Sequence, residues 1–405
     1  MSSLARLRSL TGKKRLYTRT PPKFWLVYVI SIVVTFQAFL VSYSNSTFVE
    51  TFTSAEVVGL LYTVGSCLSI LIFLFISRVL RKVGNTKFTL GMASILLLSL
   101  LVLGTTSSPA LVITFFVVFL VTSPLLYMTL DVFSESLIGD NEASTGSKRG
   151  LALALMSIAG VAGPLAVAVL VGDNSDNLTR TYLAAAVAGA IFISLILIHF
   201  RHFKDPEYKE VKVLSTIRTF FETKNMRNAF LTHLTLQMFF AWSTIYIPLY
   251  MATEIGFTWD SIGLILGLGL LGYVFFEWPI GYLADQKYGE KEMMALGFLI
   301  LAVTLSWMSF LTAASVVAWV LLMFIMRVGA ALVEVTTESY FFKHTKGTDA
   351  NLISFFRLSR PLGIVIGSLI GSAILLYLPF NLLFVGLAFT LIPAMFLTLT
   401  LEDTL

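Results

Sequence analysis

Charge is scarce in this sequence. Asp, Glu, Lys and Arg make up 13% of its 405 residues, against about 25% in an ordinary soluble domain. With a mean hydropathy of +0.86, too little polar surface remains to cover a water-soluble particle. That excludes a cytosolic enzyme, a nucleic-acid-binding module and a disordered chain. Cysteine is scarcer still: Cys67 alone excludes a disulfide framework and a Cys-rich metal centre. The four histidines, His199, His202, His233 and His344, have no ligand spacing, so no metal site is expected. There is no G-x-x-x-x-G-K-[ST], HExxH or G-x-S-x-G pattern, so neither a nucleotide-hydrolysing loop nor a hydrolase site is expected, and no cofactor.

Long apolar runs take the place of what is missing. A bilayer core about 30 Å thick needs about 20 apolar residues per helix. Twelve stretches qualify: 24–43, 57–79, 88–106, 110–137, 151–171, 182–200, 229–250, 262–283, 293–312, 316–342, 352–377 and 382–399. Many are apolar all round, as lipid-facing helices are. The first follows a basic tail, residues 1–23, and exceeds a signal-peptide core, so it reads as an uncleaved span. With these spans, 26 of the 28 Lys and Arg fall on one side, which puts both termini and the central loop in the cytoplasm and the chain in a plasma membrane. Arg180 lies on the other side and Arg327 inside a span. The pI near 9.1 is then a topology signal and an anionic-lipid contact rather than a nucleic-acid footprint.

Residues 201–227 form the one long polar segment between spans. They divide the chain into bundles at 24–200 and 228–405. The halves repeat each other. Glu56, Gly59 and Gly65 align with Asp260, Gly263 and Gly269 at an offset of 204; Gly84 aligns with Gly289 after one extra residue. Asp131, Glu135 and Ser136 align with Glu334, Glu338 and Ser339 at an offset of 203. Gln37 sits near the depth of Gln237. Parallel six-span repeats imply two bundles with a path between them.

These features resemble the major facilitator superfamily over nearly the whole chain. Its loop signature, G-x-L-A-D-x-x-G-[RK]-[RK], is similar to Gly281-Tyr-Leu283-Ala284-Asp285-Gln-Lys-Tyr-Gly289-Glu-Lys291, with one residue inserted and Glu290 at a usual basic position. The first-half copy has Arg81 where the Asp belongs. Gly160-Val-Ala-Gly163-Pro164 is similar to part of the exporter signature, without its following glycine pair. The resemblance implies an all-α membrane fold of twelve helices in two pseudo-symmetric bundles, and secondary transport of a small molecule by alternating access. It implies no enzyme activity and a monomer.

Ionisable residues in spans are expensive and face a cavity or a partner. Arg327, Glu334 and Glu338 lie at i, i+7 and i+11, on one helical face. Arg327, near mid-membrane, reads either as a cation for an anionic solute group or as half of a structural ion pair. Glu277, in an apolar setting, is a proton-carrier candidate, with a helix-end hydrogen-bonding role beside Pro279 as the alternative. His233 and Gln237 share a face; His is a proton switch or a packing residue. Trp242, Tyr246, Gln37 and Tyr127 are candidates to line the pathway. Protons are the expected coupling ion, and uniport stays open. Glu334 and Glu338 with Arg357 and Arg360, and Asp131 and Glu135 with Arg149, read as cytoplasmic charge gates or as interfacial ion pairs, and Asp285 and Gly289 as the loop-motif gate. Asn45-Ser-Thr47 and Asn177-Leu-Thr179 are formal glycosylation sequons. Two other classes stay open: a non-transporting receptor or scaffold on the same fold, and a membrane enzyme acting on lipid.

Overall fold

The computed structural model describes residues 25–138, 142–208, 217–218, 221–284, 289–343, 355–356 and 358–402. The helices are α1 (Trp25–Ser42), α2 (Asn45–Glu50), α3 (Ala55–Val83), α4 (Asn85–Thr105), α5 (Pro109–Ile138), α6 (Glu142–Val171), α7 (Thr179–His199), α8 (Lys224–Thr253), α9 (Trp259–Gly269), α10 (Leu271–Leu283), α11 (Glu290–Met308), α12 (Val316–Lys343), α13 (Ser359–Leu375) and α14 (Phe380–Thr398). Nine described stretches are long and apolar enough to cross a membrane, α9 and α10 together making one. Counting α6, α8 and α13 as well brings the described helices to a number consistent with the twelve spans expected. The eighth is broken at Leu270 into α9 and α10.

The repeat seen in the sequence does the same physical work twice. Ser54 caps the start of α3 in an extended conformation and donates to Glu56 at 2.5 Å. Thr258 does the same for α9, bonding Asp260. A Cβ on Gly65 would meet Leu120 Cβ at 2.6 Å, and one on Gly269 would meet Met323 Cβ at 2.8 Å, so each bundle packs its second helix on its fourth at equivalent points. Gly84 and Gly289 have φ of +83° and +73° and open α4 and α11; both need glycine's freedom there. The residue after each is buried and reaches the neighbouring helix. Asn85 Nδ2 donates to Thr129 O at 3.0 Å, and Glu290 accepts from Ser339 Oγ at 3.0 Å.

One departure from symmetry concerns the linker. Asp205, just past α7, accepts from the Asn85 backbone N–H at 2.7 Å and from the Tyr208 hydroxyl at 2.6 Å, putting a carboxylate on the N-terminus of α4. Phe200 and Phe203 pack on Phe133 with ring centroids 4.6 and 4.7 Å away. The start of the linker therefore belongs physically to the first bundle.

The bundles touch most extensively at the end opposite the linker, through two main crossings. In one, α3 meets α13: the Thr63 and Ser368 hydroxyls are 2.7 Å apart, and Ser372 Oγ donates to Glu56 O at 3.0 Å. In the other, α6 meets α9, and a Cβ on Gly263 would lie 2.3 Å from Pro164 O. A Cβ on Gly59 would equally collide with Ser372 and Tyr246. The aligned pair Gly59 and Gly263 thus closes the two crossings. Beside them sits a group of carboxylates from both halves. Burial, with Glu56 and Glu254 facing it, pushes the Glu50 carboxyl above its ordinary 4.5.

Two outcomes follow for this closed end, read as the distance between spin labels on Asp176→Cys and Tyr377→Cys in a Cys67→Ser background. Gly263→Ala places a methyl against a backbone oxygen that cannot yield, so the distance lengthens; an unchanged distance means that the α6–α9 crossing does not hold the end shut. Glu50 binds its proton more tightly here than in solvent, so closure is favoured in acid. It is lost as the pH rises from 4.5 through the elevated value. Glu50→Gln flattens that pH dependence, and the idea fails if the variant titrates like the parent.

Candidate functional site

The site is built around Arg327, which α12 carries at its middle. The side chain is 3% exposed. Its Nη2 donates to Ser243 Oγ of α8 at 2.5 Å and to the Tyr43 hydroxyl, just past α1, at 3.3 Å. The guanidinium lies 5.8 Å from the ring centroid of Tyr273 on α10. Gly272 makes room for that approach: a Cβ there would be 3.0 Å from Arg327 Cβ and 2.9 Å from Phe324 O. Arg327 Nε and the Tyr273 hydroxyl are buried and have no hydrogen-bond partner. Tyr43 belongs to the first bundle and the rest to the second, so the nest spans the interface.

From Arg327 a charged strip runs toward the linker end. Glu334 lies two turns along α12, half-buried, and Glu338 one turn further, exposed. Glu277 of α10 is half-buried beside Glu338. Glu334 feels Glu338, Arg360, Glu277 and Arg327 electrostatically. The strip ends at Arg360 on α13, exposed, yet close enough to act on Tyr127 of α5 and His233 of α8 as well. This exposed cation influences α5, α8 and α12 besides its own helix, so it lies near the interface between the bundles at the linker end. Sequence reasoning named all these charges and Tyr127; it did not place Glu277 with the α12 carboxylates.

His233 is fully engaged. Ser359 Oγ donates its one hydrogen to Phe356 O at 2.5 Å, so at 2.7 Å it accepts from His233 Nδ1. His233 Nε2 then accepts from Gln237 Nε2 at 3.2 Å, and the ring stacks on Phe356 with centroids 4.3 Å apart. That is the neutral Nδ1–H tautomer, with Nδ1 tying α8 to α13 and Nε2 held by Gln237 one turn along α8. The geometry favours the packing role over the switch for His233 and its partner Gln237.

Trp242 and Tyr246, expected to line the pathway, are buried in the α8–α13 seam instead. Trp242 Nε1 donates to Gly367 O at 2.8 Å, and the Tyr246 hydroxyl to Ser368 O at 3.0 Å. Gly363, Gly367 and Gly371, one turn apart on α13, form the groove they fill; Cβ atoms there would strike Gln237, Met238 with Trp242, and Tyr246. That glycine spacing was the signal available in the sequence. Gln37 also departs from expectation. It is buried inside the first bundle, where a Cβ on Gly189 would meet its Nε2 at 2.8 Å. Asn45 of the first sequon is buried and accepts from the Tyr182 hydroxyl at 2.8 Å, so here it offers no acceptor to a glycan. Tyr43, Ser243 and Tyr273 are the site residues that sequence reasoning missed.

Of the gate candidates, Asp131 is exposed near the linker end of α5, and Gly289 opens α11. Asp285, Arg357 and the side chains of Glu135 and Arg149 lie outside the described residues, so the paired clusters are represented by Glu334, Glu338 and Arg360. No group of three or more metal-ligating side chains occurs among the described residues.

Residues 229–404 match the sequence model of the Major Facilitator Superfamily. No curated protein matches the chain. Among solved structures, the nucleoside transporter NupG superposes with a TM-score of 0.71 at 11% identity, over 93% of this chain and 98% of that one. A POT family transporter in complex with a thioalcohol-conjugated peptide gives 0.74 at 12% identity, over 93% and 95%. A POT family transporter in complex with 5-aminolevulinic acid gives 0.73 at 12% identity, over the same shares. At these identities the likeness establishes the fold.

Ser359→Ala leaves the buried His233 Nδ1–H without an acceptor, at a cost of about 1–3 kcal/mol. Thermal unfolding in nanodiscs should register it as a lower midpoint. An unchanged midpoint would mean that this bond does not hold α8 to α13.

Proposed function

We propose that this chain, which has the major facilitator fold, is a secondary transporter that moves a small molecule across the plasma membrane by alternating access. The observation that carries the reading is the asymmetry of its interface. The bundles are sealed at the end away from the linker, while a charged strip leads from mid-membrane Arg327 to exposed Arg360 at the linker end. Rocking the bundles about the Arg327 level would exchange the open end for the sealed one. Lys and Arg placement supports cytoplasmic termini, so this conformation is inward-facing.

The coupling ion is the proton. A carboxylate in a span is tolerated beside a cation or as the neutral acid. Glu334 has both opportunities, with Arg360 and Arg327 acting on it and Glu338 and Glu277 opposing its charge. Glu334 and Glu277 are therefore the carriers. In the outward-facing state Glu334 and Glu338 close on Arg360 and Arg357, and Asp131 and Glu135 on Arg149, with the loop holding Asp285 and Gly289 bracing the gate. The chain works as a monomer.

The purified protein in liposomes containing a pH dye tests this. Among pooled metabolites, sugars, peptides and lipophilic cations, at least one pool is expected to drive proton movement. Glu334→Gln or Glu277→Gln reduces that movement to background while solute exchange persists. Exchange without proton movement in the parent would make it a uniporter; neither activity across the pools would overturn transport.

A further inference from the structure

Arg327 is paired in a way that does not balance its charge. Its partners are the neutral hydroxyls of Ser243 and Tyr43 and the face of Tyr273. Among the described residues no carboxylate lies within ion-pair distance of it; Glu334, two turns away, acts on it only at long range. A buried cation without a counter-charge is among the most destabilising arrangements a protein can hold. Had the role been structural, a carboxylate in contact would be expected.

Two further donors point the same way. Arg327 Nε–H and the Tyr273 O–H are both buried and part of this nest, and neither makes a hydrogen bond of ordinary geometry, although the two side chains lie close enough to act on each other. Other buried polar atoms lack partners too, Tyr62 and Trp259 among them, but these two belong to an uncompensated cation and its neighbour, and together they have hydrogen-bonding capacity for two acceptor oxygens and one negative charge. A carboxylate group brings that combination; an alcohol, an amide or a sugar brings the acceptors without the charge.

We propose that the Arg327 nest is a carboxylate-binding subsite and that the solute carried is an organic anion. Its carboxylate accepts from Arg327 Nε and from Tyr273, with Ser243 and Tyr43 keeping the guanidinium in place. This rests on the transporter reading for the word carried, and on the nest alone for the word carboxylate. Because Tyr43 comes from the first bundle and the other three from the second, the bound anion sits where a change in the interface is felt first.

The test uses the full chain in nanodiscs, titrated at constant ionic strength with acetate, benzoate and 3-phenylpropionate, with their amides, and with phenyl phosphate and benzenesulfonate. Thermal unfolding and tryptophan fluorescence report binding. At least one carboxylate should raise the midpoint where its amide does not. Tyr273→Phe, which removes one open donor and leaves the charge, should weaken that carboxylate about tenfold, and Arg327→Gln should weaken it further. Arg327→Lys should fall between parent and Arg327→Gln, because it keeps the charge without the fork. The assignment is overturned if the amides bind as well as the acids. It is equally overturned if only the phosphate or sulfonate binds, or if no carboxylate separates the parent from Arg327→Gln. In liposomes, uptake of neutral solutes undisturbed by Arg327→Gln would overturn the anion assignment and leave transport standing. Carboxylate binding that needs Arg327, with no exchange of the carboxylate bound, would overturn transport and leave the subsite standing.

Discussion

Backbone contact between the halves, made where a glycine meets a neighbouring helix, governs the rest of this molecule. Lipid-like interiors offer no hydrophobic drive to bring helices together, so close packing of small residues has to supply it. Gly59 lets α3 reach α13 and Tyr246, and Gly263 lets α6 reach α9. Everything polar is arranged relative to these two crossings. Above them the outer turns gather acidic groups from both halves; below them lie Arg327, the carboxylates of α10 and α12, and Arg360.

Within that frame, polar side chains divide by size. Small hydroxyls such as Thr122, Thr304 and Thr336 bond back to carbonyls one turn earlier in their own helices, so they can occupy a span without a distant partner. Larger groups are committed to particular neighbours: His233 to Ser359 and Gln237, Trp242 to Gly367, Arg327 to Ser243 and Tyr43. The charged groups of α10, α12 and α13 collect on one path. Other buried polar atoms also lack partners, Tyr62 and Trp259 among them, but the open donors at Arg327 and Tyr273 stand apart because they sit at a buried charge.

The all-helical membrane fold and the repeated glycine positions were legible because each is a one-dimensional signal: run length and constant offset. Helical periodicity alone put Arg327, Glu334 and Glu338 on one face. Glu277 joined them only in three dimensions, since α10 and α12 are neighbours through packing that no short-range pattern encodes. The same holds for Tyr43, 284 positions from Arg327 along the chain, and for Ser243. Trp242 and Tyr246 were misread because aromatic residues at one-turn spacing suit a cavity wall and a glycine groove equally. Only the three glycines of α13 tell the two apart, and those lie more than a hundred residues away.

The α3–α13 crossing has a property with thermodynamic weight. Thr63 and Ser368, which meet across it, also reach carbonyls of their own helices, Thr63 to Gly59 O at 3.1 Å and Ser368 to Ile364 O at 2.6 Å. Each hydroxyl therefore has a fallback acceptor already in place. Parting the helices would strand neither of these two donors, so their mutual hydrogen bond costs little to release, whereas Ser372, which donates to Glu56 O, has no such fallback. The hydroxyl pair therefore adds little to the difference between shut and open. Against this pair, solute and ion binding energies of a few kcal/mol are large enough to decide, and the same smallness makes its release reversible cycle after cycle.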